Sequence, residues 1–349
     1  SAGELVNTGG TLTSEGDARL SAGGALRNDQ GRIAAGGDLA IQAASVQSGA
    51  GSVLAAGVRA DGSLGTRGDL RVTTTGLLAA HGTNLAAGSA ALQGASVDLS
   101  GSQTAARDIA VTATQGHVTT SGATVSTPGT LAVTANGHTG QALVNDAGIL
   151  SAGQLDLRAA DIANTHGGEI IQTGTGASTI AVGGTLNNDG GRIASNGQDL
   201  SLSGAAITNH AGRIEHAGTG TLAIGGGSFQ GTDGQITGNG ALNVDLAGAF
   251  GQDGGSTYAE HIGVQAASLS NRGGSIVQGG TGATTITVTG AADNTGGTLA
   301  SNGQTTIAAG SLANRSGAIR AAGASPLGIT TTGLLDNRQG EIGAGGNAT

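Results

Sequence analysis

The sequence has no cysteine, methionine, tryptophan or lysine, and only 2 prolines, 2 phenylalanines and 1 tyrosine in 349 residues. Without cysteine there is no disulfide framework and no thiol chemistry. Without lysine all 14 basic residues are arginines, and with a net charge of -9 neither a nucleic-acid backbone nor an anionic membrane surface is a fitting partner. No apolar run approaches the roughly 18 residues that a membrane span needs, and Ser1 does not open a basic-then-apolar leader. The chain is therefore expected to be soluble and to carry no address of its own. So few aromatics leave a core without its usual large fillers, and something narrow must be packed instead.

What is present is glycine, 70 residues of it, and a 37% hydrophobic content made mostly of Ala, Leu, Ile and Val. That is too apolar, and at 11% charged residues too weakly charged, for a disordered chain. It is also periodic. Residues 25–43 read ALRNDQGRIAAGGDLAIQA, and residues 185–203 read TLNNDGGRIASNGQDLSLS. The shared template is an aliphatic residue at position zero, Asn two residues on, Gly five on, and a further apolar or Thr residue seven on. An alternating strand then follows.

The template starts at Leu5, Leu26, Val46, Leu78, Val97, Val118, Leu143, Ile162, Leu186, Ile207, Phe229, Phe250, Leu269, Ala292, Leu312 and Leu335. The mean spacing is about 22 residues, a repeat length typical of solenoids. Asn takes the second place after the start at Asn7, Asn28, Asn145, Asn164, Asn188, Asn209, Asn271, Asn294, Asn314 and Asn337. Pairs such as Leu39/Ile41, Leu131/Val133, Leu200/Leu202 and Ile286/Val288 alternate with period two, the mark of a strand with one face inward. A unit this short cannot bury its apolar face alone and must stack on copies of itself. The expected fold is all-β, a parallel β-helix of about 16 coils, in one continuous domain over residues 1–349. In such a coil the Asn column becomes a ladder of amides, glycine permits positive backbone angles in the turns, and Phe229 and Phe250 stack in one inward slot.

The stretches LNNDGGRIASNGQDLSL, ITNHAGRIEHAG, LSNRGGSIVQGG and LANRSGAIRAAG resemble the filamentous haemagglutinin repeat of two-partner-secretion exoproteins, a group of adhesins and contact-dependent inhibition proteins. The resemblance extends over essentially the whole chain. It implies a right-handed β-helix, export through an outer-membrane transporter partner, and a place on the bacterial cell surface; the stack of coils is expected to be a monomeric rod. Neither a secretion domain nor a toxin domain is recognisable, so the chain is expected to be a segment of a longer one.

Two departures from regularity are candidate binding features. The interval from Val46 to Leu78 is long, placing an insertion at residues 55–69 that contains Arg67-Gly68-Asp69, the tripeptide displayed by integrin-binding proteins. Against that reading, Asp69-Leu70 falls where Asp38-Leu39 and Asp199-Leu200 fall, at the turn into a strand. The second departure is a column three residues after the start: Asp146, His166 (counted back from Gly168, because its coil has one extra residue), Asp189, His210, Thr232 and Asp253, with Arg272, Arg315 and Arg338 further along. If these stack, alternating Asp and His form a polar edge that either takes a divalent cation or charges below pH ~6.5, or is a solvated turn that avoids like-charge contacts. The residues call for no cofactor and no resident metal.

A uniform solenoid with one insertion reads as a structural and adhesive shaft that carries a tip or effector domain and meets a receptor or glycan on a host cell or another bacterium. The alternative is the stalk of a contact-dependent growth inhibition protein. A polysaccharide-cleaving β-helix would need clustered acids and aromatic platforms, and an ice-binding one would need T-x-T in every coil; the sequence meets neither requirement, and no enzymatic activity is expected.

Overall fold

The computed structural model describes residues 3–349 apart from residues 60, 136, 323 and 325. Ala60, within the expected insertion, thus lies outside the described residues. The chain divides into two compact units, Ser1–Gly174 and Thr175–Thr349. Each is a parallel β-solenoid, and no α-helix occurs among the described residues.

A coil has three short strands, as in Ala25–Arg27, Arg32–Ala35 and Leu39–Ala43. Each pairs in parallel with the same strand of the coils before and after. In the first unit the register runs Leu5, Leu26, Val46, Leu78, Val97, Val118, Leu143 and Ile162. In the second it runs Leu186, Ile207, Phe229, Phe250, Leu269, Ala292, Leu312 and Leu335. These are the template starts, so the sequence period is the structural one.

The interior is two apolar side chains wide at the third strand. Leu39 and Ile41, Leu70 and Val72, Ile109 and Val111 are all buried, and Leu200, Leu202, Leu222 and Ile224 repeat this in the second unit. Each buried aliphatic side chain stabilises by about 1.5–3 kcal/mol. The outward residues between them remain partly exposed, and this alternation specifies the register. Phe229 and Phe250 lie in register and fully buried, their ring centroids 5.4 Å apart. The rings are tilted by 46°, since stacking face to face at one strand spacing would oppose like quadrupoles.

The turn after the first strand corrects one expectation about glycine. Positive φ occurs four residues after the start, at Gly9, Gly190, Gly254 and Gly296, but also at Gln30, Ala147, Ala211, Asp233, Ser316 and Gln339. The glycine five residues on has a different cause. A Cβ on Gly31, Gly212, Gly297 or Gly340 would collide with the backbone carbonyl of the ladder Asn one coil earlier. The glycine is there because the coils approach too closely for a side chain.

The insertion also differs in detail. Val53–Ala56 is a buried strand, so the chain leaves the coil at Gly57 rather than at residue 55. An antiparallel bridge joins Val58 to Leu64, and Arg59 N donates to Ser63 O at 2.8 Å. Val58 N donates to Ala35 O at 3.0 Å and Gly65 N to Gly57 O at 2.7 Å, which ties this small hairpin to the coil. Pro128 sits where the register slips between Thr127 and Thr130, a place that tolerates a residue with no N–H to donate.

These turn geometries separate two adjacent positions experimentally. Ala211→Gly relieves a left-handed alanine and is expected to stabilise by up to about 1 kcal/mol. Gly212→Ala, one residue on, is expected to destabilise by about 3 kcal/mol through overpacking. Urea denaturation of the two variants checks both signs.

Candidate functional site

The polar column begins inside the solenoid. Asn7 Nδ2 donates to Asn28 Oδ1 at 2.7 Å, and Asn145 Nδ2 to Asn164 Oδ1 at 2.8 Å. In the second unit Asn188 reaches Asn209 at 2.6 Å, Asn271 reaches Asn294 and Asn294 reaches Asn314 at 2.7 Å each, and Asn314 reaches Asn337 at 2.6 Å. These amides also hold their own turn and the next coil: Asn294 Nδ2 lies 3.1 Å from Gly297 O and 3.3 Å from Ala318 O. Burial is affordable for an amide only with such partners.

Sequence reasoning missed how the column continues where Asn is lacking. Asn28 passes to Ser48 at 3.2 Å and Ser48 to Ser52 at 2.7 Å. Asn84, from a different coil position, reaches Thr104 at 3.1 Å, and Thr120 donates to Asn145 Oδ1 at 2.8 Å. The signal was the hydroxyl or amide standing near the Asn position in otherwise ordinary coils.

On the outer edge the structure places the expected residues unevenly. Asp146 Oδ1 meets His166 Nδ1 at 2.5 Å and the Thr165 hydroxyl at 3.0 Å. The His166 contact, then Thr165, holds the Asp146 carboxyl below its usual range. The column position itself is occupied by Thr165, whose carbonyl accepts Ala147 N at 3.0 Å. His166 is shifted into the left-handed position, at φ 50°, because its turn has one extra residue. Asp189 Oδ1 accepts the His210 amide at 2.8 Å, and Asp253 Oδ1 accepts the Arg272 amide at 2.9 Å and the Ser270 hydroxyl at 2.6 Å. These carboxylates stitch one coil to the next. No group of three or more His, Asp or Glu among the described residues is placed to share a metal ion.

Further along, the arginines of this column pair with aspartates that the sequence reading passed over. Arg272 meets Asp293 at 2.7 Å, while Arg315 at 2.6 Å and Arg338 at 2.7 Å converge on Asp336. Hydrogen bonds from Arg338 and then Arg315 hold the Asp336 carboxyl far below the ordinary range. Burial pushes Asp293 up, but Thr295 and Arg272 outweigh it and leave the carboxyl lowered.

The tripeptide of the insertion lies at a similar stitch. Arg67 is exposed, Gly68 is buried with φ 131°, and Asp69 N donates to Asp38 Oδ1 at 2.9 Å. Asp69 Oδ1 in turn accepts Ser89 N at 2.7 Å. Asp38 N donates to Asp17 Oδ1 at 2.9 Å, so three successive aspartates form one chain of carboxylate-to-amide bonds. Above them the hairpin closes on the Asp61 carboxylate, which the Ser63 hydroxyl and amide hold below its usual range.

An all-β chain whose strands pair only in parallel between successive coils, with a buried amide ladder and edge carboxylates spent on coil-to-coil bonds, is a β-solenoid repeat protein. Residues 1–42, 28–60, 48–125, 98–177, 279–339 and 322–349 match the haemagglutinin repeat family, and the chain belongs to that family. It is 44% identical over 165 residues to the toxin CdiA of Yersinia pestis, a match that covers 47% of this chain and 5% of that protein. It is 46% identical over 101 residues to the tRNA nuclease CdiA-2 of Burkholderia pseudomallei (strain 1026b), covering 29% of this chain and 3% of the relative. The chain thus spans a small fraction of the length of the curated relatives it matches. No solved structure matches it significantly.

Two measurements test the stitching. Asn294→Ala leaves the Asn271 amide and the Asn314 carbonyl without their ladder partner, and is expected to cost about 3 kcal/mol by denaturant titration. For the acid edge, a carboxyl lowered in the folded state stabilises above its unfolded pKa of about 3.9 and loses that contribution as pH falls. Asp336→Asn is therefore expected to melt below wild type at neutral pH. The gap should narrow as the pH falls from about 4 toward 2.

Proposed function

We propose that this chain is part of the shaft of a secreted filamentous exoprotein on a bacterial surface, holding a tip or effector domain away from the cell and supporting adhesion to a host cell or to another bacterium. The observation that carries the proposal is the unbroken coil-to-coil register within each unit. A coil that gives its neighbour the same satisfied surface it receives can be added without limit, which suits a spacer. Membership of the haemagglutinin repeat family supports the same reading. So does the small part of each relative that the chain matches, which leaves other activities to other regions.

In this proposal the shaft itself does no catalysis. It leaves the cell through an outer-membrane transporter of the two-partner type and works as a single chain. A second reading, the stalk of a contact-dependent growth inhibition protein, is favoured by one specific observation: both relatives named above are CdiA proteins, one a toxin and one a tRNA nuclease.

The test removes coils from the full-length protein. Deleting residues 186–334 joins the start before Leu186 to the start at Leu335 and takes out seven whole coils, shortening the stack by about 34 Å. Surface display and the activity of the distal domain are expected to survive. A deletion ending half a coil later breaks the register and is expected to abolish display. Loss of distal activity in the whole-coil deletion, with display intact, would refute a spacer role. Assaying both adhesion to epithelial cells and growth inhibition of neighbouring bacteria separates the two readings.

A further inference from the structure

The repeated phrase quoted at the start places an arginine at Arg32 and again at Arg192. In the second unit the guanidinium of Arg192 is paired: Glu215, one coil on, takes it at 2.7 Å from Nη2 and 2.8 Å from Nε. Strand register puts Arg213 opposite Arg192 and Glu215 opposite Ala194. The corresponding register in the first unit puts Val53 opposite Arg32 and Ala55 opposite Ala34. Alanine therefore stands where the carboxylate belongs, and the Arg32 side chain has no hydrogen bond or ion pair among the described residues.

The same spot is where the solenoid carries its insertion. The hairpin folds beside the outward face of the second strands and leaves a cavity of about 610 Å³ lined by Thr13, Glu15, Arg32, Ala34, Val58 and Arg59 among others. Its size is within the range of small-molecule sites. Two guanidinium groups and a single carboxylate face it, a locally positive wall on a chain of net charge -9. Of the second strands around it, Arg32–Ala35 is paired on both sides, with Thr11–Ser14 and with Val53–Ala56. The strand that carries Arg32 therefore offers no free edge to a peptide.

We propose that this cavity binds a sugar residue bearing a carboxylate. Arg32 takes the carboxylate in the forked geometry that guanidinium groups favour. Glu15 and Thr13 accept and donate to ring hydroxyls, and Val58 and Ala34 lie against the C–H face. The ligand supplies the anion that the repeat omits at Ala55. The proposal rests on the adhesive reading of the shaft, and its test is read in solution, so that its failure leaves the coil-deletion result untouched.

The experiment titrates the full 349-residue chain with the methyl α-glycoside of N-acetylneuraminic acid, methyl β-glucuronide, methyl β-glucoside and acetate, followed by ligand-observed NMR. Wild type is compared with Arg32→Gln. Glutamine already stands in this register position at Gln235, opposite Arg213, so the variant is compatible with the coil, and its circular dichroism is checked against wild type. Saturable binding of one or both acidic sugars is expected, at least about tenfold weakened in the variant, as loss of a charge-assisted pair implies. Which acidic sugar binds tells a sialylated surface from a uronic-acid polymer. Equal binding of the neutral glucoside, acetate as effective as the sugars, an unchanged affinity in Arg32→Gln, or no saturation by any probe would each overturn the site.

Discussion

The close approach of one coil's turn to the next governs this molecule. At the glycine five residues after the start, as at Gly31, Gly212, Gly297 and Gly340, the chain passes so near the preceding ladder Asn carbonyl that no Cβ fits. That spacing is also what lets an Asn amide reach the Asn carbonyl one coil away, as between Asn294 and Asn314 at 2.7 Å. Glycine and asparagine are thus two halves of one contact. The glycine brings the backbones together, and the buried amide occupies the polar groups that the approach would otherwise strand. A slender aliphatic interior follows, because coils held this close leave width for little else.

Breaks in the ladder confirm that width is the limiting quantity. Phe229 fills the inward slot of its coil, and the residue two places on is Gly231, where a Cβ would meet the Phe229 ring. The amide of the following coil is Gln252, which is turned to Thr257 at 3.0 Å rather than along the ladder. Gln252 Oε1 and Asn271 Oδ1 are then buried without a partner. Beside the two aromatic rings one amide is thus missing and the next is turned aside, and the apolar area that the rings bury offsets unsatisfied acceptors of about 1–3 kcal/mol each. With no other Phe among its 349 residues, the chain makes this exchange in a single place.

Period and register were legible in the sequence because side chains alternate strictly along a strand, and a slip by one residue would expose the whole core. Turn detail was less legible. The left-handed residue and the close-approach glycine are adjacent, both favour glycine, and only coordinates separate them. That is how His166, in a turn one residue longer, was read into a column that Thr165 occupies. The Arg272–Asp293 and Arg315–Asp336 pairs were hidden for another reason. Their partners lie 21 residues apart and at different template positions, so reading down one column could not join them. The role of Asp69 was legible from Asp38 and Asp199, which precede the same strand in their own coils; the bond from Ser89 N to its carboxylate was not.

Solenoids use the same few contacts in every coil, so a place where a contact is missing carries more information than one where it is present. Arg192 and Glu215 give the complete form of a pair that Arg32 and Ala55 leave half-made. A guanidinium is costly to hold beside packed strands without an anion, and here the hairpin of the insertion stands beside it instead of a carboxylate. Elsewhere several outer charges bind coil to coil: Asp38 and Asp69 hold the next amide, and Asp336 holds Arg315 of the coil before. A charge left over in such a molecule is free to meet something that is not another coil.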